Sequence, residues 1–313
     1  MARIRRKRKR VLKGLGSIRA IGTDFHGGFS APNVGRLDLL GPNAICGRLK
    51  VEILVCVKRV PDTSENEIAL NATGSDIERD ELVYSVNEAD NYAVEEALQI
   101  VAKIGGNVTV ITIGNEEDEE VLRREMAMGA THGILLSDAA FAASDGRGLA
   151  TILKAFVQKG NYDLILTGVQ ADDGAAQVGG MLAAMLDYPF ASLVNSIQVL
   201  DGKQLKISRE IEGGNREYSE IDLPCVLSIQ TGINEPRYVG MRGIRAVASV
   251  PIPTHDASAL GISPTLVGQA GAKVKRLDYF IPALGKGAEM LTGSREENVE
   301  KLLELMAAKG GLK

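Results

Sequence analysis

Residues 163–180 read DLILTGVQADDGAAQVGG. Asp163–Thr167 is a short apolar run behind a single acid, the composition of a strand buried on both faces. A glycine-rich loop follows from Gly168 to Gly174, and helix-forming residues run from about Ala175 to Leu186. A buried strand that turns through glycines into a helix is half of a βαβ unit.

The same alternation extends toward the N-terminus. Glu52–Val57 (EILVCV) and Val108–Ile113 (VTVITI) are further continuous apolar runs. Between them, Ala93, Val94, Ala97, Leu98, Val101 and Ile104 form one stripe of a helix over Ala89–Ile104, which Gly105-Gly106 ends. Glu117–Met128 predicts a second helix with acids at the positive end of its dipole. A short strand at Gly133–Leu136 and a helix at Gly148–Gln158 complete the pattern. Strands alternating with helices of this length predict an α/β fold, a doubly wound parallel sheet with flanking helices.

Toward the C-terminus the pattern changes. Ser196–Leu200 and Leu205–Ile211 flank Asp201-Gly202, a hairpin signal. Leu223-Pro224 leads into another apolar strand, Cys225–Gln230. From Pro251 to Val274 the chain reads as loop. A final helix is expected at Arg295–Ala308, with Ser294 and Glu297 as its capping box and Gly310-Gly311 as its stop. Its apolar face, Val299, Leu302, Leu303 and Met306, needs a cover, from the chain's own sheet or from a partner surface. Three segments follow: a basic extension at 1–50, an α/β domain at 51–250 and a C-terminal arm and helix at 251–313.

The net charge of −4 conceals a division along the chain. Residues 1–50 hold twelve Lys/Arg against two Asp/Glu, and the remainder holds 24 against 38. The basic residues cluster in MARIRRKRKR, which suits a transit segment or an anionic partner. Poor periodicity before Val51 favours a disordered extension or a start assigned too early. Apart from that arm the surface is acidic, aromatics are only 4% and Trp is absent, so stacking platforms for nucleic acid are not expected. No apolar run approaches the roughly 18 residues of a membrane span, so the chain is not expected to be membrane-embedded. Cys46, Cys56 and Cys225 are widely spaced and only three His are present, so no metal site is expected. A reducing, cytoplasmic setting suits these lone cysteines.

No GxGxxG follows a strand, and P-loop and GxSxG patterns are also missing. Catalysis by side chains is therefore not expected. The Gly168–Gly180 segment does suit binding, because ligands of doubly wound sheets sit at the carboxyl ends of the strands. Its glycines would let backbone N–H groups approach a phosphate at the positive end of the next helix. Gln177 would reach ribose or phosphate oxygens. Asp172 and Asp173 would repel phosphate, and are expected to cap the helix or bond the loop backbone. A phosphate site and a plain glycine-rich turn both fit these residues. Thr231–Tyr238 (TGINEPRY) crowds charge and an aromatic beyond a buried strand, as a docking loop or as a turn closed by a Glu235–Arg237 contact.

Several of these stretches resemble the beta subunits of electron-transfer flavoproteins. Arg209–Gly214 (REIEGG), Leu223–Ser228 (LPCVLS) and Asn234–Tyr238 (NEPRY) with Gly243-Ile244 beyond are similar to the family's signature. Leu54–Asp62 (LVCVKRVPD), Asn87 followed by Ala93–Ala97 (AVEEA), Ala127–Ala130 (AMGA) and the Gly168–Gly179 loop agree in order. The resemblance covers Val51 to the C-terminus, and residues 1–50 have no counterpart. It implies an adenine-nucleotide alpha-hydrolase-like fold and a heterodimer with an alpha subunit, whose C-terminal domain holds most of an electron-carrying FAD. The beta chain would cradle that domain and bind its own nucleotide, AMP or, in members that bifurcate electrons, a second FAD. By resemblance the nucleotide touches Cys56, Val57, Asn87, Ile113, Gln170, Ala171, Ala176, Gln177, Val178 and Gly179. Tyr238–Ala246 corresponds to the loop that docks on partners, with Tyr238, Met241, Gly243 and Ile244 as contacts. The partners implied are flavin-dependent dehydrogenases such as acyl-CoA dehydrogenases, and a quinone oxidoreductase as downstream acceptor.

The chain departs from the family pattern in places. Arg245–Val250 lacks the lysine cluster common after the docking loop. Thr63 and Ala89 stand where aromatics near the flavin are usual, and the nucleotide loop is one residue short. Lys58-Arg59 resembles the AMP type, whereas Pro61-Asp62-Thr63 and Asp90 resemble the bifurcating type. The leading expectation is an electron-carrier subunit rather than a stand-alone enzyme. The alternative is a subunit of a flavin-bifurcating, NADH-dependent complex. A stand-alone ATP-binding regulatory domain of the universal-stress type would carry a clear triphosphate loop, which this sequence lacks.

Overall fold

The computed structural model describes residues 50–171, 174–200, 203–283, 285, 287, 288 and 290–311, and the backbone of 18–23. The basic run at 1–10, Asp172, Asp173 and the Asp201-Gly202 turn lie outside the described residues.

Among the described residues the first strand is β1 (Ile18–Thr23) and the next is β2 (Val51–Cys56). β3 (Arg59–Pro61) and β4 (Tyr84–Val86) form a small antiparallel ribbon, in which the Arg59 guanidinium lies 3.8 Å over the Tyr84 ring. α1 (Glu88–Ile104) ends at Gly105, whose φ of 85° turns the chain while its N–H bonds back to Val101. Gly106 then opens β5 (Gly106–Ile113) at φ 131°, where a Cβ would meet the Val51 carbonyl oxygen at 1.9 Å. α2 (Glu119–Met128), β6 (His132–Leu136), α3 (Gly146–Val157), β7 (Leu164–Gly168) and α4 (Val178–Leu186) continue the alternation. Four strands follow, β8 (Phe190–Val199), β9 (Gln204–Ile211), β10 (Asn215–Asp222) and β11 (Cys225–Ile229). The remaining elements are α5 (Met241–Val247), β12 (Thr254–His255), α6 (Ala257–Leu260), α7 (Gly268–Gly271) and α8 (Arg295–Ala308).

Ten strands form one sheet in the order β1-β10-β9-β8-β11-β7-β2-β5-β6-β12. Neighbours from β8 to β12 in that order run parallel, and β8, β9, β10 and β1 pair antiparallel. Alternate residues of each central strand enter opposite cores, as the period of two requires. Ile53, Val55, Val110 and Leu166 pack with Ala93, Val94, Ala97 and Leu98 of α1 and with Leu122 of α2. Leu54, Ile111, Ile165 and Val226 pack on the other face with Ile152 and Phe156 of α3 and Leu182 of α4. The expected doubly wound α/β fold is therefore present, as is the antiparallel pair β8–β9, which lies between the parallel strands and β10.

Three stretches differ from expectation. Asn215–Asp222 (NREYSEID) is a full strand, although only Ser219 and Ile221 of it are buried. Its register on β9 is set by a turn with Gly213 at φ 78° and Gly214 at φ 73°. Ile18–Thr23 adds a further strand to it from the stretch expected to lack regular structure. Within 251–274, read as loop, β12 extends the parallel sheet beside β6 and two four-residue helices follow, all too short to carry a hydrophobic period.

The described chain separates into two compact units. One comprises the residues through Glu67 and Asp80–Arg276 and contains the sheet. The other comprises Ile68–Arg79 and Leu277–Lys313. In this second unit Tyr279 N–H bonds to the Gly74 carbonyl at 3.0 Å, and α8 carries the expected capping box. The apolar face of α8 is exposed, with Val299 and Leu302 each at 50%.

Candidate functional site

Parallel strands bring their carboxyl ends to one edge of the sheet. Cys56 ends β2, with Val57 directly after it, and Ile113 ends β5. Gln170 and Ala171 follow β7, whereas Ala176 and Gln177 precede α4, and Val178 and Gly179 are its first residues. Asn87 is the N-cap of α1. All ten candidate nucleotide contacts thus lie along the carboxyl edge of the neighbouring strands β7, β2 and β5. Asn87 is buried and donates through Nδ2 to the Gln170 carbonyl at 3.2 Å, which ties α1 to the loop after β7.

The loop has little bulk. Gly174 N–H bonds to the Ala171 carbonyl at 2.9 Å, and Ala176 takes a φ of 52° to bring the chain into the helix. Gly179 packs tightly on the strand ends, where a Cβ would meet Ser228 Oγ at 2.6 Å and Thr167 Oγ1 at 2.9 Å. Those two hydroxyls bond each other at 2.8 Å and are buried. Gln177 is the N-cap of α4 and makes no side-chain cap bond. The first N–H groups of a helix lack intrahelical acceptors, so this end presents donors to an anion. α4 starts at Val178, three residues later than expected, so Ala175–Gln177 belong to the loop.

Asp90 lies beneath this edge and is 6% exposed. Its Oδ1 accepts the Gly168 N–H at 2.9 Å and its Oδ2 accepts the Lys58 N–H at 3.0 Å. Burial raises its carboxyl to about 7, against the bonds from Gly168, Asn87 and Lys58 and the charge of Lys58. Burial and the neighbouring Asp90 push the Cys56 thiol up to about 12, so it is no thiolate nucleophile at neutral pH. Cys225 is buried in β11 and its thiol is raised by desolvation. Among the described residues no group of His, Cys, Asp and Glu has the geometry to hold a metal ion.

A second surface is built on α1 and α2. Arg237 reaches back to Glu95 of α1, with Nε to Oε2 at 2.8 Å and Nη2 to Oε1 at 3.1 Å, rather than turning to Glu235. Burial opposes ionisation of Glu95, but Arg237 and Gln99 hold its carboxyl below the usual range. Asn234 Nδ2 donates to the Tyr92 carbonyl and to Glu96, each at 3.1 Å. Arg123 of α2 donates to the carbonyls of Val247, Ala248 and Val250 at 3.0, 3.1 and 3.2 Å, and pairs with Glu119 at 2.8 Å. The segment 234–250 is thus pinned at both ends, with α5 between. Tyr238 is 93% exposed, Met241 63% and Ile244 41%. Gly243 instead marks where α5 crosses α2, since a Cβ there would stand 3.0 Å from the Ala127 carbonyl oxygen.

The sequence profile of the electron transfer flavoprotein domain matches residues 76–260, spanning the candidate edge from Asn87 onward, both pinning clusters and α5. The electron transfer flavoprotein subunit beta of Methylophilus methylotrophus is 34% identical over 260 residues, which cover 82% of this chain and 98% of that protein. The chain belongs to the electron transfer flavoprotein beta-subunit family. It is also similar to the caffeyl-CoA reductase-Etf complex subunit CarD of Acetobacterium woodii, at 35% over 252 residues covering 80% of this chain and 95% of that one. Protein FixA of Azotobacter vinelandii is 32% identical over 264 residues, 82% of this chain and 93% of that one. Within this beta-subunit framework three supports have contacts that the sequence did not announce, although Asp90 stood out by resemblance to the bifurcating type and Glu95 lies in the AVEEA stretch. Asp90, Arg123 and Glu95 act through partners 32 to 142 residues away, often backbone groups. Among the described residues no helix is long and apolar enough to cross a membrane.

Proposed function

We propose that this chain is the nucleotide-holding half of a two-subunit electron carrier. With an alpha subunit it carries electrons through FAD from flavin-dependent dehydrogenases, such as acyl-CoA dehydrogenases, to a downstream acceptor such as a quinone oxidoreductase, in the cytoplasm. FAD, held mainly by the alpha subunit, supplies the redox chemistry when bound. The chain's own residues bind and orient.

The observation that carries this reading is the start of α4, where the N-cap Gln177 makes no side-chain cap bond and the helix stands behind a glycine-rich loop at the carboxyl edge of β7, β2 and β5. There the N–H groups of Val178 and Gly179 take the phosphate of an adenine nucleotide, AMP or a second FAD, and Gln177 reaches its ribose or phosphate oxygens. Cys56, Val57, Asn87, Ile113, Gln170, Ala171 and Ala176 surround the remainder. Tyr238, Met241 and Ile244 form the docking surface for the electron donor, flanked by the exposed Arg242 and Arg245, which favour an acidic partner. The alpha subunit covers the exposed apolar face of α8.

Coexpression of the full chain with its alpha subunit, followed by analysis of the nucleotides released on denaturation, tests the reading. One FAD and one AMP per heterodimer are expected. Two FAD and no AMP would assign the second flavin to this chain and make NADH the first donor to assay. No adenine nucleotide beyond a single FAD would overturn the reading.

A further inference from the structure

The nucleotide edge is assembled from segments far apart in sequence, and one buried side chain joins them. Asp90 sits in the first turn of α1, yet both its oxygens accept from other elements, Gly168 N–H at the end of β7 and Lys58 N–H after β2. Asn87 adds a bond from the same turn to the Gln170 carbonyl, and its own N–H bonds to the Lys58 carbonyl at 2.9 Å. The approach leaves no slack, because a Cβ on Gly168 would lie 2.4 Å from Asp90 Oδ1 and 2.8 Å from Ala89 Cβ. The segments held in this way are the end of β2 and the loops beyond β2 and β7, which carry Cys56, Val57, Gln170 and Ala171.

We propose that Asp90 is a positioning residue for the nucleotide site, its carboxylate fixing the loops after β2 and β7 at the spacing that an adenine nucleotide requires. The inference rests on the nucleotide reading above. Each oxygen faces an N–H donor, so only the ionised form offers two good acceptors. A protonated carboxyl turns one hydroxyl toward a donor and releases one of the two loops. The titratable groups bearing on Asp90 are Lys58, which favours its charge, Cys56 on β2 and Glu125 on α2. Burial brings its titration to about 7, so the clamp is graded by pH in the neutral range.

The test is AMP binding by calorimetry, with the full chain freed of bound nucleotide, from pH 5.5 to 8.5. AMP is the portion common to both candidate ligands. Asp90→Asn puts an amide donor against one backbone donor, and affinity at pH 8.5 is expected to fall about tenfold. Wild-type affinity should decline on acidification through pH 7 more steeply than that of Asp90→Asn. Titration of AMP itself is common to both proteins and cancels in the comparison. A merely structural role would shift affinity equally at every pH. Gly168→Ala, which keeps the charge but displaces the carboxylate, should also weaken binding, and it decides the matter if Asp90→Asn does not fold. Equal affinity and an equal pH profile in wild type and Asp90→Asn would overturn this inference alone, as would undiminished binding by Gly168→Ala. Failure of the wild type to bind AMP at any pH would overturn the nucleotide reading and this inference with it.

Discussion

Glu125 should be a burden on this fold that rises with pH. It lies in α2, is fully buried, and neither carboxyl oxygen has a hydrogen-bond partner among the described residues. Burial, with a smaller contribution from the charge of Asp90, raises its carboxyl from 4.5 to about 8, against the pull of Arg124. The folded pKa lies above the unfolded one, so the folded chain holds a proton that the unfolded chain has released. Stability is therefore fully present below about pH 4.5 and is lost as pH rises toward 8. At about 1.4 kcal/mol per unit the whole interval corresponds to at most about 5 kcal/mol. Glu125→Gln removes the titration and should flatten that part of the profile. Glu125→Met also removes the unpaired polar group and should stabilise the fold at pH 8 by a further margin of about 1–3 kcal/mol. Asp90, raised to about 7, contributes a slope of the same sign that persists in both variants. Glu125 is thus isolated by the difference between wild type and variant. Urea unfolding followed by far-UV circular dichroism at constant ionic strength, from pH 5 to 9, measures it. If Glu125→Met is less stable than wild type at pH 8, or if the slope is unchanged, the carboxyl has a partner and the reasoning fails.

Other perturbations address the docking segment and the sheet. Arg123→Ala should release the end of α5, so hydrogen exchange at 241–250 accelerates about tenfold or more while β2, β5 and β7 stay protected; equal protection would show that packing alone holds α5. Arg237→Ala leaves Glu95 buried without its cation and should cost about 1–3 kcal/mol at pH 7. Because the Glu95 carboxyl is held below its ordinary range, that loss should shrink as pH falls through the acid range, as pH-dependent unfolding will report. Gly106→Ala must either shift β5 away from Val51 or abandon a φ of 131°, and should lower the midpoint of thermal unfolding by several degrees.

The parallel half of the fold was legible because its strands are buried on both faces. EILVCV, VTVITI and DLILT leave no polar face to confuse the period, and their helices are long enough to show a stripe. β10 was not, because its outward residues are Arg, Glu and Tyr and it is held by neighbours on either side rather than by a core. α5 was concealed for a different reason. Its seven residues contain a glycine and two arginines and bury nothing fully, so its geometry comes from Arg123 and the crossing at Ala127. Each failure is a case of tertiary context overriding a weak local preference.

The candidate site divides along the same physical line. Glycines before α4 and the strand that feeds them announce backbone donors at a strand end, because only residue types matter to that inference. The buried acids near that edge announce their contacts far less. By resemblance Asp90 marks the bifurcating type, and by position it is a first-turn acid favourable to the helix dipole, but its bonds to the N–H groups at 58 and 168 depend on neighbours far off in sequence. Glu125 shows the conflict most sharply. It shares a helical face with the buried Val121, Leu122 and Met126, so spacing points inward while the charge of the residue points outward. The fold resolves that conflict in favour of spacing, and the carboxyl is left to respond by keeping its proton. A period is a property of neighbours in sequence, whereas the cost of burying a charge depends on neighbours in space. The buried strands and long helices of this chain therefore lie open to a reader of the sequence, and the protonation states of its buried acids do not.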